Sequence, residues 1–118
     1  MRIPRVVATS TRRARALAKL APTGLLTRFV ALVGGDEVAE GKPAPDIFLR
    51  AAASVGTAPA DCIVLEDSEP GVRGALAAGM IPIMVPDTLE PSADLVARGV
   101  LILPSLAAVQ AHLAALPG

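Results

Sequence analysis

Apolar and polar positions along this chain fall into blocks whose period changes. Arg5 to Thr9 is a β-branched run that fits a strand. From Thr11 to Leu20, with Ala21 following, Ala14, Leu17 and Ala18 recur at helical spacing, and Ser10 or Thr11 is placed to cap that helix. Phe29 to Val33 is a second apolar run, closed by Gly34-Gly35. Asp46 caps a predicted helix that reaches Val55, with Gly56 as its stop signal. Ile63 to Leu65 is a third strand, short and wholly apolar. Pro70 sits where the first turn of a helix tolerates it, and that helix ends at Gly79. Ile81 to Val85 is a fourth strand, Pro91 to Arg98 a short helix, Val100 to Leu103 a fifth strand and Ser105 to Leu116 a last helix.

Strands that are apolar throughout, alternating with helices, predict an α/β fold: a Rossmann-like parallel sheet of about five strands with helices on both faces. No repeat, low-complexity tract or linker divides the chain, so residues 1–118 form one domain. In such sheets ligands sit beyond the carboxyl ends of the strands. The chemistry is therefore expected in the few residues that follow each strand.

Composition narrows the classes. The chain is 53% hydrophobic and 19% charged, which does not fit a disordered polymer. Lys+Arg and Asp+Glu both number 11, and the only aromatic residues are Phe29 and Phe48, so no nucleic-acid partner is expected. Cys62 is the single cysteine; it excludes an internal disulfide and a cysteine zinc site and fits a reducing, cytoplasmic setting. The start of the chain meets Arg2, Pro4 and Arg5 before any apolar stretch, unlike a secretory signal. Gly99 to Gly118 holds no fully charged residue, but Pro104, Ser105, Gln110 and His112 interrupt it. It is expected to be a strand and an amphipathic helix, with no membrane partner.

At the predicted strand ends, Thr9-Ser10-Thr11-Arg12-Arg13 supplies either a plain helix cap or an anion site of hydroxyls, backbone N–H groups and an arginine. On the second reading Ser10, Thr11 and Arg12 touch a bound phosphate; Arg13 and Arg15 are expected to be solvated. Gly41-Lys42-Pro43-Ala44-Pro45-Asp46 places a lysine in a proline-stiffened stretch before a helix, either as a fixed positive charge or as a surface residue in a turn. Glu66-Asp67-Ser68-Glu69-Pro70-Gly71 puts two carboxylates directly after an apolar strand. Capping needs only Asp67 or Ser68, and the extra acid suits a hard cation such as Mg²⁺. Glu69 is taken as helix-dipole charge, Cys62 as a small core residue and His112 as a surface residue. Neither G-x-G-x-x-G nor the P-loop pattern occurs.

In this order, Val7-Ala8-Thr9-Ser10, then Gly41-Lys42-Pro43-Ala44-Pro45-Asp46, then Glu66-Asp67-Ser68-Glu69-Pro70-Gly71-Val72, the chain resembles the haloacid dehalogenase-like superfamily, in its phosphatase and β-phosphoglucomutase-like branch. The likeness runs from Val6 to Pro86. It implies that Thr9 hydrogen-bonds a transferring phosphoryl group and that Lys42 neutralises charge on the nucleophile and phosphate. It also implies that Glu66 and Asp67 help to hold Mg²⁺, and that Thr11 and Arg12 match positions that touch the substrate phosphate in some members. Phosphoryl transfer depends mainly on positioning and charge neutralisation, and these residue types supply both.

The resemblance is incomplete. The family opens with D-x-D-G-T, whose first aspartate is the nucleophile, and no D-x-D occurs here. The cap domain of that branch is missing as well, so the likeness is to the carboxyl-terminal part of such an enzyme. Two functions follow as expectations. One is a Mg²⁺-dependent phosphatase or phosphomutase on a small phosphate ester such as a sugar phosphate, with this chain alone inactive. The other is a non-catalytic domain that binds Mg²⁺ and phosphate or pairs with a partner chain. The family's central first strand would lie between the strands ending at Thr9 and Glu66. Its absence predicts that these strands pair directly, leave a gap or accept a strand from elsewhere, and that exposed sheet edges favour self-association and poor stability.

Overall fold

The structure, a computed structural model, describes residues 3–86 and 90–115. Five strands and five α-helices follow the expected alternation. They are β1 (Val6–Ala8), α1 (Arg13–Leu20), β2 (Ala31–Val33), α2 (Asp46–Ser54), β3 (Ile63–Glu66), α3 (Glu69–Ala77), β4 (Ile81–Met84), α4 (Ala93–Ala97), β5 (Leu101–Ile102) and α5 (Leu106–Ala114). All strand pairs are parallel, as expected for an α/β fold built from βαβ units. β1, β2, β4 and β5 are shorter than their apolar runs suggest, because ladder pairing covers only part of each run, whereas β3 extends one residue past its run to Glu66. Leu25–Arg28, before β2, forms a 3₁₀ turn. The expected end of the last helix, Leu116, lies outside the described residues.

The sheet is split. β1 pairs with β2, and β3, β4 and β5 form a separate three-stranded sheet in that order. Of the three arrangements open to the strands ending at Thr9 and Glu66, the molecule adopts the gap: no backbone hydrogen bond joins β1 to β3 among the described residues. One core nevertheless spans both sheets. Ile47, Phe48 and Ala52 of α2, with Ala75 and Ala78 at α3, pack on Val33 and Val64, and Val6, Ala8 and Cys62 flank the cluster. A second cluster joins Val72, Met84 and Leu95, with Val72 and Leu95 at 0% exposure. Alternation along β3 puts Val64 against the helices and turns Ile63 and Leu65 to the opposite face, where they remain 42% and 46% exposed. Cys62 is half-buried, and burial raises its thiol pKa, as befits an inert packing residue.

Several caps differ from the sequence expectation. α1 begins at Arg13, and neither Ser10 nor Thr11 caps it: Thr9 Oγ1 accepts from Thr11 N at 3.1 Å, and the Asp36 carboxylate, 23 residues away, accepts from Arg13 N at 2.7 Å. Asp46 is the first residue of α2, not its cap; Pro45 holds the cap position. Ser68 caps α3, accepting from Gly71 N, with Pro70 in the first turn as expected. Gly56 and Gly79 follow α2 and α3 at φ of 63° and 78°, left-handed values that glycine adopts without strain. The tail forms β5 and α5, and no helix of the described residues is long and apolar enough to cross a membrane.

Candidate active site

The carboxyl ends of β1 and β3 open into a cleft of about 630 Å³ lined by Ala8, Thr9, Lys42, Leu65, Glu66 and Asp67, with residues from the ends of β4 and β5 closing it. The topology explains this placement. In a parallel sheet all carboxyl ends emerge on one side, so residues separated by 24 or more positions in sequence converge there.

Lys42 is the centre of the site. Its ammonium donates to Glu66 Oε2 at 2.6 Å and to the Ala8 carbonyl at 3.4 Å, and sits 5.2 Å from the centroid of the Phe48 ring. It thereby ties β1 to β3 across the gap. The peptide bond between Lys42 and Pro43 is cis. The side chains of Lys42 and Glu66 are 12% and 9% exposed, so solvent screens the pair little. The other Glu66 oxygen, Oε1, accepts from Asp67 N and Ser68 Oγ, both at 3.2 Å. Glu66 fits against the first turn of α3 because position 71 is glycine; a Cβ there would overlap the Glu66 carboxyl group.

Asp67 is exposed at the cleft, and among the described residues no donor reaches its carboxylate. With Glu66 it offers two carboxylates on one edge. No group of three or more His, Cys, Asp or Glu side chains gathers among the described residues. Two acids suit Mg²⁺, which commonly takes one or two carboxylates and completes its octahedron with water and substrate phosphate.

The Thr9 hydroxyl lines the cleft and, by accepting from Thr11 N, shapes the turn into α1. Ser10, Thr11 and Arg12 lie further along that turn and do not line the cleft; Ser10 and Arg12 are exposed and Thr11 is half-buried. The turn is pressed against bare backbone. A Cβ on Gly35 would overlap the Ser10 carbonyl, and one on Gly34 would overlap Arg13 N, while Gly35 N donates to the Thr11 carbonyl at 2.9 Å.

Some contributors have no counterpart among the sequence expectations. Arg13 is not simply solvated: its guanidinium donates to the Leu32 carbonyl and reaches Glu37 Oε2 at 3.5 Å. Glu69 does more than complement the helix dipole, since it accepts from Ser92 N at 2.6 Å and pairs with Arg73. Asp36, Phe48 and Gly71 each hold a site element in place. Asp36 directly after Gly34-Gly35 is the kind of acid that caps a neighbouring helix, and Gly71 follows the capping Ser68 by three residues, but neither pattern identifies its partner.

A family profile described as haloacid dehalogenase-like hydrolase matches residues 1–79. The chain is 46% identical over 79 residues to the Escherichia coli fructose-1-phosphate phosphatase YqaB, a match covering 67% of this chain and 42% of that protein. It is 42% identical over 95 residues to the Bacillus subtilis β-phosphoglucomutase, covering 78% and 40%. The solved structure of CbbY from Rhodobacter sphaeroides in complex with phosphate superposes with a TM-score of 0.76 at 32% identity, covering 89% of this chain and 48% of that one. The chain thus spans less than half the length of these relatives. Family profile, relatives and fold agree with the convergence of Thr9, Lys42, Glu66 and Asp67 at one sheet edge: the chain belongs to the haloacid dehalogenase-like hydrolase family.

Proposed function

We propose that this site binds the phosphate of a small phosphorylated substrate, such as a sugar phosphate, and serves phosphoryl transfer of the phosphatase or phosphomutase kind. The carrying observation is that Lys42 bridges Ala8 and Glu66 within a cleft shared by Thr9 and Asp67. A phosphate there meets a hydroxyl donor and a fixed ammonium, two of the groups that neutralise oxygen charge as a phosphoryl group moves. Lys42 is held by Glu66, the Ala8 carbonyl and the Phe48 ring, so its charge is positioned before substrate arrives. Ser10, Thr11 and Arg12, outside the cleft, contribute through the turn that carries Thr9, with Thr11 N donating to the Thr9 hydroxyl oxygen. Glu66 and Asp67 would hold Mg²⁺, which when bound supplies further positive charge at the phosphate oxygens. The relatives' names, a fructose-1-phosphate phosphatase and a β-phosphoglucomutase, support a sugar-phosphate class. The sequence holds no D-x-D, so the residues present bind and neutralise but offer no paired aspartates for attack and proton transfer.

Titration of the purified chain with inorganic phosphate by ³¹P NMR, with and without Mg²⁺, tests this reading. Saturable binding that Mg²⁺ strengthens and Lys42→Ala weakens by about tenfold or more is the expected result. Hydrolysis of an aryl phosphate is expected to stay at background. Absence of phosphate binding would refute the site, and turnover that Lys42→Ala abolishes would refute the claim that the chain alone is inactive.

A further inference from the structure

On the reading of the cleft as a phosphate site, we infer that Glu37, which lies outside the cleft, is a positioning residue for the Thr9 hydroxyl: its carboxylate holds the loop on which the Thr9 turn rests.

The two side chains that neutralise phosphate charge are anchored differently. Lys42 is gripped inside the cleft by Glu66, the Ala8 carbonyl and the Phe48 ring. Thr9 has no such grip: among the described residues its hydroxyl oxygen bonds only to Thr11 N, within its own turn. Its place is therefore set by whatever holds residues 9–13. Apart from bonds within that turn and α1, every hydrogen bond from 9–13 among the described residues ends on 32–37. Thr9 N donates to the Val33 carbonyl at 3.0 Å and Gly35 N to the Thr11 carbonyl at 2.9 Å. Arg13 N donates to Asp36 at 2.7 Å, and the Arg13 guanidinium to the Leu32 carbonyl and Glu37.

Glu37 closes that segment. In the 3₁₀ turn Gly35–Glu37, Glu37 Oε2 accepts from Gly34 N at 2.7 Å while Glu37 N donates to the Gly34 carbonyl at 3.0 Å, so the two residues bond to each other twice. The same carboxylate meets Arg13 at 3.5 Å and Arg50 of α2 at 3.7 Å. These contacts are unequal. Arg13 and Arg50 are exposed, and water screens such pairs. Gly34 is buried, so without Glu37 its N–H is stranded, and a stranded buried donor costs more than the bond itself contributes. The loop must then move to recover a partner. It has no slack toward the Thr9 turn, because position 34 lies against Arg13 N and position 35 against the Ser10 carbonyl. A shift at Gly34 is passed to the turn, and the Thr9 hydroxyl leaves its direction toward a phosphate oxygen, where hydrogen bonds weaken steeply with angle.

The test is ³¹P NMR titration of the full chain with inorganic phosphate in the presence of Mg²⁺, together with the ¹H–¹³C signals of the Thr9 methyl group and of Lys42 Cε. Glu37→Ala is expected to weaken phosphate binding about fivefold and to shift the Thr9 signal but not that of Lys42. Glu37→Gln keeps an acceptor for Gly34 N and is expected to bind within about twofold of the parent. Glu37→Asp keeps the charge but loses the reach; it is expected to behave as Glu37→Ala, and it takes that variant's place should the alanine chain fail to fold. In a Thr9→Val background the loss from Glu37→Ala is expected to disappear, which a general loss of stability would not produce. Phosphate affinity unchanged by Glu37→Ala and Glu37→Asp, an equal loss in the Thr9→Val chain, or a glutamine variant as weak as the alanine one would overturn the inference. If the parent chain binds no phosphate, the phosphate reading fails on its own. The Thr9 signal then decides: displacement in Glu37→Ala that Glu37→Gln reverses supports the positioning role, and a signal that stays in place overturns it.

Discussion

Gly71→Ala sets two effects of opposite sign against each other. In an ordinary helix interior the change stabilises by up to ~1 kcal/mol, because alanine loses less backbone freedom than glycine. Here the added methyl group would occupy the space of the Glu66 carboxyl group, so Glu66 must swing away. It would lose the 2.6 Å bond to Lys42 and the 3.2 Å bonds from Asp67 N and Ser68 Oγ. A hydrogen bond to a charged partner is worth about 1.5–3 kcal/mol. With the two side chains only 12% and 9% exposed, little of that is recovered from solvent. The displacement term wins, and the net loss is about 1–2 kcal/mol, or roughly 5–10 °C in melting temperature for a domain of this size. The assay is thermal unfolding followed by circular dichroism, run as a cycle with Glu66→Ala. Without the glutamate, Gly71→Ala is expected to be neutral or stabilising. A Gly71→Ala chain as stable as the parent, or an equal loss in the Glu66→Ala background, would refute the reasoning.

Asp36→Ala removes the acceptor for Arg13 N at the start of α1. That bond lowers the Asp36 pKa below its ordinary 3.8, so its stabilisation is present above 3.8 and is lost as pH falls through the lower folded value. The variant is expected to melt below the parent near neutral pH and with it in strong acid; a pH-independent difference would contradict the capping role. Leu95→Ala empties the centre of the Val72–Met84 cluster and is expected to cost about 3 kcal/mol in urea denaturation. Asp94→Ala breaks the 2.8 Å pair with Arg73, whose partners are 36% and 58% exposed; a change of ~0.5 kcal/mol or less is expected, with phosphate binding unaltered.

What was legible in the sequence was whatever depends on neighbours along the chain. The alternation of strand and helix, the stop glycines and Pro70 in its first turn are local signals, and each appears close to where it was expected. The grouping of Thr9, Lys42, Glu66 and Asp67 was legible for a second reason: parallel topology sends every strand's carboxyl end to the same side. Contacts between distant segments were not legible. Asp36 displaces Ser10 and Thr11 as the cap of α1 because the loop after β2 lies against that helix start, which no spacing encodes. Arg13 has the composition of a solvated residue, and only the β1–β2 pairing brings the Leu32 carbonyl within its reach.

The glycine pair after β2 acts on the site from a distance. Gly34 and Gly35 form the mould in which the Ser10–Arg13 turn is cast, since neither leaves room for a methyl group beside that backbone. The shape of the loop that presents Thr9 is therefore dictated by a segment more than twenty residues downstream that lies outside the cleft. Swapping the hydroxyl-bearing loop between relatives would transplant its geometry only if this counter-mould travelled with it.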